Sequence, residues 1–313
     1  MEPVRRAVID VGTNSIKLLV ADVSGRAVQP LHEESRQTRL GQKFYETHQL
    51  QAHAIAQTAV AVADFARTAR DRQSSSIRVI ATSAARDAVN ADELLQAIFT
   101  ASGLKAEIIS GAREAEWAFQ GVATDAELAP LPLLLLDVGG GSTEFILGHG
   151  TKKSFAHSFP LGTVRLMEKF PHSDPPTSAE FTACQEWLKK FLHGEVRPQL
   201  GPALALETKP VQLVGTGGTT SILARIEKKL DRFDRDKIEH TILTFEQVVA
   251  HRKHLWSLPL AERKEVHGLP KLRADVILTG VLIYEAVMAE FDFTELRIST
   301  RGLRFAAVMD APE

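Results

Sequence analysis

One six-residue pattern occurs twice in this chain. Asp10-Val11-Gly12-Thr13-Asn14-Ser15 and Asp137-Val138-Gly139-Gly140-Gly141-Ser142 share the form Asp-Val-Gly-x-x-Ser and stand 127 residues apart. Each follows an apolar run and precedes another, Ile16 to Val20 in the first case and Phe145-Ile146-Leu147 in the second. The simplest geometry is a strand, a tight glycine turn and a returning strand. Self-similarity at this distance is too long for a solenoid repeat and suits two related domains opened by the same device. Consecutive glycines let backbone N–H groups converge and let an anion approach them, so phosphate is the expected occupant.

A third turn, Gly215-Thr216-Gly217-Gly218-Thr219-Thr220, follows the apolar segment Val211 to Val214 and leads into a helical pattern. Helix starts of this kind hold phosphate through free N–H groups and the helix dipole, which makes Gly217 and Gly218 phosphate-binding candidates.

At 313 residues the chain exceeds the size at which one core is usual, and 44% hydrophobic residues supply two. A net charge of −2 argues against a general nucleic-acid or membrane-surface binder. Cys184 is the one cysteine, which excludes an intramolecular disulfide framework. It lies at helical spacing from Phe181, Leu188 and Phe191 and reads as core. No signal-type segment opens the chain and no apolar run reaches the ~18 residues of a membrane span. A soluble, cytoplasmic protein is expected, with no nucleic-acid or membrane partner; homodimerisation stays open.

Taken in order, residues 4–11 and 16–22 read as the first hairpin and Ala27 to Arg39 as a third strand. A helix over Gln51 to Ala69, a strand at Ile77 to Ala81, a loop Thr82 to Asp87, a helix capped by Asn90 with Glu93, a strand at Ala106 to Ile109 and a helix from Ala112 to Val122 follow. This alternation indicates an α/β domain. Thr124 to Pro132 is the boundary. The second domain opens with its own hairpin, adds a strand over Lys152 to Phe159 and a helix near Leu161, and carries a helix from Thr177 or Ser178 to His193. Thr244 to Leu258 and Arg273 to Glu290 are helical by pattern, Leu296 to Ser299 is a strand, and Arg301 to Asp310 closes the chain as a helix.

The turns pose an electrostatic conflict. Their N–H groups attract phosphate, whereas Asp10, Asp137 and Glu144 beside them repel it. A hard divalent cation resolves this, because Mg²⁺ is held by one or two carboxylates together with phosphate oxygens, so Mg²⁺ is the expected cofactor. Aspartate before glycine also caps ordinary turns, but the repetition favours a shared chemical role. Arg86, following a strand, can clamp phosphate oxygens bidentately, or pair with Asp87 at the surface. Glu114, in the first turn of its helix, can orient and deprotonate a water for attack on phosphorus. Arg36, Arg39, Lys43 and Arg165 fit a track for a long anion or an ordinary solvated face. Neither a P-loop nor a Gly-x-Gly-x-x-Gly sequence is present. His251 and His254, one turn apart, read as solvated side chains.

Two Asp-x-Gly hairpins and a glycine turn before a helix resemble the actin-like ATPase superfamily. The wording narrows this: Ile9 to Ser15, Ala81-Thr82-Ser83-Ala84-x-Arg86-Asp87, Ser110-Gly111-x-x-Glu114-Ala115, Asp137 to Glu144, Leu161-Gly162-x-Val164-Arg165-Leu166 and Arg273 to Ile277 are similar to the exopolyphosphatase and guanosine pentaphosphate phosphohydrolase family. The resemblance implies an α/β fold of two actin-like (ribonuclease H-like) domains, residues 1–124 and 125–300, with a cleft between them and a C-terminal helix at about 301–313 on the first. It also implies metal-dependent release of terminal phosphate from inorganic polyphosphate, or of the 5′ γ-phosphate from guanosine pentaphosphate. The family's catalytic glutamate falls on Glu114 and its phosphate-binding arginine on Arg86. Its phosphate loops fall on Gly12, Thr13, Asn14 and Ser15 and on Gly139, Gly140, Gly141, Ser142 and Thr143, and its metal-associated acids on Asp10, Asp137 and Glu144. A kinase or ATPase, or a nucleotide-sensing module, is the competing reading. Longer members carry a further module with a His-Asp signature, a dipeptide absent here, and the family's Gly-Leu-Arg-Glu-Gly reads Gly302-Leu303-Arg304-Phe305-Ala306.

Overall fold

A computed structural model describes residues 2–310. The chain divides into two compact units, one made of residues up to Asp125 together with those from Arg301 onward, the other of Ala126–Thr300. No helix among the described residues is long and apolar enough to cross a membrane.

In the first unit β1 (Val4–Val11), β2 (Ser15–Ser24) and β3 (Ala27–Gln37) form an antiparallel meander. β4 (Ser76–Ala81) pairs in parallel with β1, and β5 (Ala106–Ile108) with β4, giving the order β3-β2-β1-β4-β5. The helices are α1 (Ala52–Asp71), α2 (Ser83–Asp87), α3 (Ala91–Ser102) and α4 (Gly111–Val122). β1 and β2 are near-continuous apolar runs because both faces of the sheet are covered. Ile9, Val11, Ile16 and Leu18 join Val62, Phe65 and Leu94 in one cluster, while the alternate residues Val8, Leu19 and Ala21 join Trp117 in another.

The second unit repeats the plan. β6 (Leu133–Val138), β7 (Thr143–His149) and β8 (Lys152–Phe159) are the meander, and β9 (Gln212–Thr216) runs parallel to β6 as β4 does to β1. β10 (Ile242–Thr244) and β11 (Glu295–Ile298) complete the order β10-β11-β9-β6-β7-β8. Around it lie α5 (Thr163–Lys169), α6 (Ser178–Phe191), α7 (Arg197–Ala205), α8 (Gly218–Glu227), α9 (Arg235–Ile238), α10 (Phe245–Ser257), α11 (Leu260–Arg263) and α12 (Ile277–Glu290). α12 is apolar almost all round and lies inside one large cluster with Cys184, whose thiol burial pushes up to about 12. From Arg301 the chain belongs to the first unit again. There α13 (Leu303–Met309) packs on α4, closely enough that a Cβ on Gly121 would overlap the Gly302 backbone. Residues 311–313 of the expected closing helix lie outside the described residues.

Several local expectations are corrected. Asn90 holds the N-cap position of α3 as expected and its Nδ2 donates to Glu93 Oε2 at 3.3 Å, but its side chain accepts from no α3 amide; it bonds Leu50 both ways, Oδ1 accepting from Leu50 N at 2.9 Å and Nδ2 donating to Leu50 O at 3.1 Å. Thr82 to Asp87 is largely the short helix α2 rather than a loop. The helix expected to stop at His193 continues through a π-helical stretch, Leu192–Val196, into α7, because Leu192, Val196 and Leu200 recur at four-residue spacing and stay buried. The helix expected from Arg273 begins at Ile277. His251 is not a solvated side chain: its Nε2 lies 2.8 Å from Glu227 Oε2 and it is 15% exposed.

Candidate active site

Both glycine turns use their carbonyls in the same way. In the first, Gly12 N donates to Ser15 O at 3.1 Å, Thr13 O accepts from Gly41 N at 2.7 Å, and Asn14 O accepts from Thr38 N and Arg39 N at 3.2 and 3.1 Å. In the second, Gly139 N donates to Ser142 O at 2.9 Å. Gly139 O and Gly140 O accept from Thr163 N at 3.0 Å and Val164 N at 2.9 Å, and Gly141 O from Arg165 Nε at 2.8 Å. A trans peptide plane puts N–H and C=O on opposite sides. Tying these carbonyls to the next segment therefore turns the amides of Asn14 and Ser15, and of Gly140, Gly141 and Ser142, the other way, as an anion requires. The clasp depends on glycine: a Cβ on Gly162 would lie 2.5 Å from Gly140 C and Gly141 N.

The acids beside the two turns have different neighbours. Asp10 stands directly across the β1–β2 ladder from Lys17. Burial pushes its carboxyl up, while the charges of Lys17 and of Arg304 on α13 pull it back down. Arg304 is itself fixed, Nη1 donating to Leu18 O at 3.0 Å and Nη2 lying 3.3 Å from Glu33 Oε2. Asp137 stands directly across from Glu144, so the two carboxylates share one face of the β6–β7 hairpin. Glu144 is 1% exposed and one of its oxygens accepts from Ser158 Oγ at 2.7 Å.

Asp137 also reaches the third turn. A Cβ on Gly217 would lie 2.7 Å from Asp137 Oδ1, and Gly217 holds φ +96°, a conformation that favours glycine. Beneath it Tyr284 of α12 donates to Leu136 O or Thr216 O, each at 3.3 Å. Burial pushes the Tyr284 hydroxyl well up and the Asp137 charge adds to this, so it stays a neutral donor. At the head of α8 the Arg273 guanidinium lies over Gly218, where a Cβ would stand 3.1 Å from Arg273 Nη2.

Arg86 and Glu114 meet in the first unit. β4 ends beside Val11, α2 carries Arg86 back, and Ser110 caps α4 by accepting from Arg113 N at 3.2 Å, which places Glu114 in the first turn. Arg86 Nη1 donates to Glu114 Oε2 at 2.9 Å and to Ile109 O at 3.1 Å, whereas Asp87 is 4.0 Å away. The side chains are 22% and 12% exposed, a half-dry setting for a carboxylate and its counterion.

Within the first unit the structure thus brings together Gly12, Thr13, Asn14, Ser15 and Asp10 on one hairpin, and Arg86 with Glu114. Within the second it brings together Gly139, Gly140, Gly141, Ser142, Thr143, Asp137, Glu144, Gly217 and Gly218. Sequence reasoning missed Lys17, Arg304, Arg273 and Tyr284 as neighbours of these groups. Arg36, a candidate for the cation track, is engaged with Asp64 at 2.6 Å.

Two repeated α/β units of actin-like topology, each opened by a glycine turn between two strands, define the class of actin-like proteins. The chain belongs to the Ppx/GppA phosphatase family, which it matches over residues 19–311, and it is a phosphoanhydride hydrolase. It is 36% identical to exopolyphosphatase 2 of Mycobacterium tuberculosis, over 91% of this chain and 90% of that one. It is 26% identical to exopolyphosphatase 1 of Mycobacterium leprae, over 97% and 88%. Among solved structures, an exopolyphosphatase from Cytophaga hutchinsonii superposes with a TM-score of 0.87 at 25% identity, covering 99% of both chains. The Ppx/GppA family member of Aquifex aeolicus gives 0.79 at 30% identity, over 98% and 97%.

Proposed function

We propose that this chain is an exopolyphosphatase that releases the terminal phosphate of inorganic polyphosphate by attack of water. The observation that carries the reading is the Arg86–Glu114 pair at 2.9 Å, a carboxylate and a guanidinium held at the head of α4 in the unit that also presents the first glycine turn. Glu114 accepts the proton of the attacking water, the water oxygen bonds to phosphorus, and the P–O bond to the shortened chain breaks. Arg86 keeps further N–H donors for oxygens of the reacting phosphoryl group, whose charge it partly neutralises. In the first unit the outward amides of Asn14 and Ser15, and in the second those of Gly140, Gly141 and Ser142, are each suited to bind phosphoryl oxygens.

Asp137 and Glu144 fit a hard divalent cation. Two like charges directly opposite on a hairpin destabilise it unless a cation lies between, and carboxylate oxygens are the ligand class that Mg²⁺ takes. Bound there, Mg²⁺ would supply positive charge to the phosphoryl oxygens. Asp10 is the weaker candidate ligand, since Lys17 and Arg304 already act on it.

The deciding experiment is phosphate release from long polyphosphate, short polyphosphate and guanosine pentaphosphate, each with and without Mg²⁺. Mg²⁺-dependent release from polyphosphate supports the reading. Preferential release from guanosine pentaphosphate would assign the other substrate, and no release from any of the three would overturn the hydrolytic assignment.

A further inference from the structure

Among the buried side-chain polar atoms of the first unit that have no hydrogen-bond partner within the protein, five belong to residues gathered at the first glycine turn: Asn14 Nδ2, Ser15 Oγ, Gln37 Oε1, Thr38 Oγ1 and Ser83 Oγ. Asn14 and Ser15 are in the turn. Gln37 and Thr38 are tied to it, Gln37 Nε2 donating to Asn14 Oδ1 at 3.0 Å and Thr38 N to Asn14 O at 3.2 Å. Ser83 follows Thr82, whose N–H donates to Val11 O at 3.2 Å, so β4 delivers the hydroxyl beside the start of the turn. Thr38 and Ser83 are each 3% exposed.

The second turn differs. Its Thr143 hydroxyl donates to Leu161 O, and no side chain of that turn has a buried polar atom without a partner among the described residues. Burying a polar group without a partner costs free energy, and folded proteins carry few such groups. A concentration of them at one loop is a cost that a ligand offsets. The balance of the set says which ligand: an amide NH₂ and three hydroxyls donate, against one side-chain amide oxygen that can only accept. A water molecule, with two donors and two acceptors, matches this set less well than a phosphoryl group, which offers acceptors only.

We propose that Thr38 and Ser83 complete, with Asn14 and Ser15, a neutral oxyanion subsite that receives the oxygens of one phosphoryl group of the substrate. This rests on the polyphosphate reading above and adds two residues to it. Hydroxyl and amide donors bind an anion by charge-assisted hydrogen bonds, which discriminate by geometry rather than by net charge.

The test is Thr38→Val and Ser83→Ala, alone and combined, with Thr38→Ser as the conservative control. Thr38→Val and Ser83→Ala each remove a hydroxyl that makes no hydrogen bond to another protein group. The expected result is an equal or higher melting temperature of the free protein and a KM for polyphosphate raised roughly tenfold per hydroxyl, the size usual for a hydrogen bond to a charged group. Thr38→Ser should restore the wild-type KM. Tripolyphosphate, added without turnover being measured, should raise the melting temperature of the wild type and of Thr38→Ser but much less that of the double variant. Unchanged KM with unchanged tripolyphosphate protection overturns the proposal. So does a fall in free-protein stability with unchanged KM, which would mean that the hydroxyls hold internal water. Should the wild type release no phosphate from polyphosphate, the substrate reading fails separately, and the tripolyphosphate measurement still decides the subsite.

Discussion

Arg86 Nη1 lies 2.9 Å from Glu114 Oε2, joining α2 to the first turn of α4 by one charge-assisted hydrogen bond. On the function proposed above, the pair would supply two groups at one point, a base for water and a cation for the phosphoryl oxygens. A bound phosphate would compete with Glu114 for the guanidinium, so substrate binding itself would loosen the counterion from the base.

Glu114→Gln should retain the fold, because the amide still accepts from Arg86 and still sits behind the Ser110 cap. Without the carboxylate, turnover should fall by about 10²–10⁴, the range for positioned acid–base groups. Phosphate release at saturating polyphosphate, with circular dichroism as the folding control, checks this. Near-normal turnover would remove Glu114 from the base role.

Arg86→Ala should act on binding and rate together, since on the proposed reading it removes a phosphoryl-oxygen donor and it also removes the bonds from Arg86 Nη1 to Glu114 Oε2 and Ile109 O. Arg86→Lys keeps the charge but not the planar fork, so it should recover only part of the loss. The measurement is KM and kcat for all three forms; identical constants for wild type and Arg86→Ala would place the arginine outside the site.

Mg²⁺ should raise the melting temperature of the wild type. At a concentration about 100 times its Kd the stabilisation is ~2.7 kcal/mol for one site. Glu144→Gln relieves the charge opposite Asp137 and should abolish this response, whereas Asp10→Asn should weaken it far less. A Mg²⁺ shift of wild-type size in Glu144→Gln would separate that acid from the metal.

How much of this was legible in the sequence depends on the range of the interaction that decides it. The two hairpins were legible because Asp-Val-Gly-x-x-Ser bounded by apolar runs is a local signal, and the family resemblance followed from such words. The clasp on each turn was not, since Gly41 and Gly162 act on residues about 20 to 30 positions earlier. Tyr284 beneath Thr216, and Arg304 beside Asp10, are brought close only by tertiary packing. Asn90 marked the start of α3 correctly, but its side-chain oxygen was taken from the helix amides by a more distant partner, Leu50, that offers both a donor and an acceptor. The helix expected to end at His193 runs on because the buried Leu192, Val196 and Leu200 carry it through.

Acid stability should depend on Glu180. Hydrogen bonds, first from Thr177 N and then from the Ser173 hydroxyl and amide, lower its carboxyl from 4.5 to about 2. A lowered folded-state value means the contribution is fully present above the ordinary carboxylate range and is lost as pH falls through the folded value. Glu180→Gln, which keeps the capping geometry at Thr177, should therefore melt below the wild type at neutral pH, with the gap closing between pH 4.5 and 2. Melting curves over that range check it; a gap independent of pH would mean that the charge contributes nothing.

Gly162→Ala should disable the second turn without removing a charged side chain. The new Cβ would stand 2.5 Å from Gly140 C and Gly141 N, and both neighbours are backbone, so no side chain can swing aside. Relief requires α5 to move away from the turn, which breaks the bonds from Thr163, Val164 and Arg165 to the loop carbonyls. The peptide planes then lose the constraint that aims the Gly140 and Gly141 amides. Strain of this kind costs about 1–3 kcal/mol, measurable by chemical denaturation. The decisive sign is that KM for polyphosphate should rise in conditions where the protein is still fully folded. A variant that is destabilised yet binds substrate as the wild type does would show that the clasp supports the fold and not the anion.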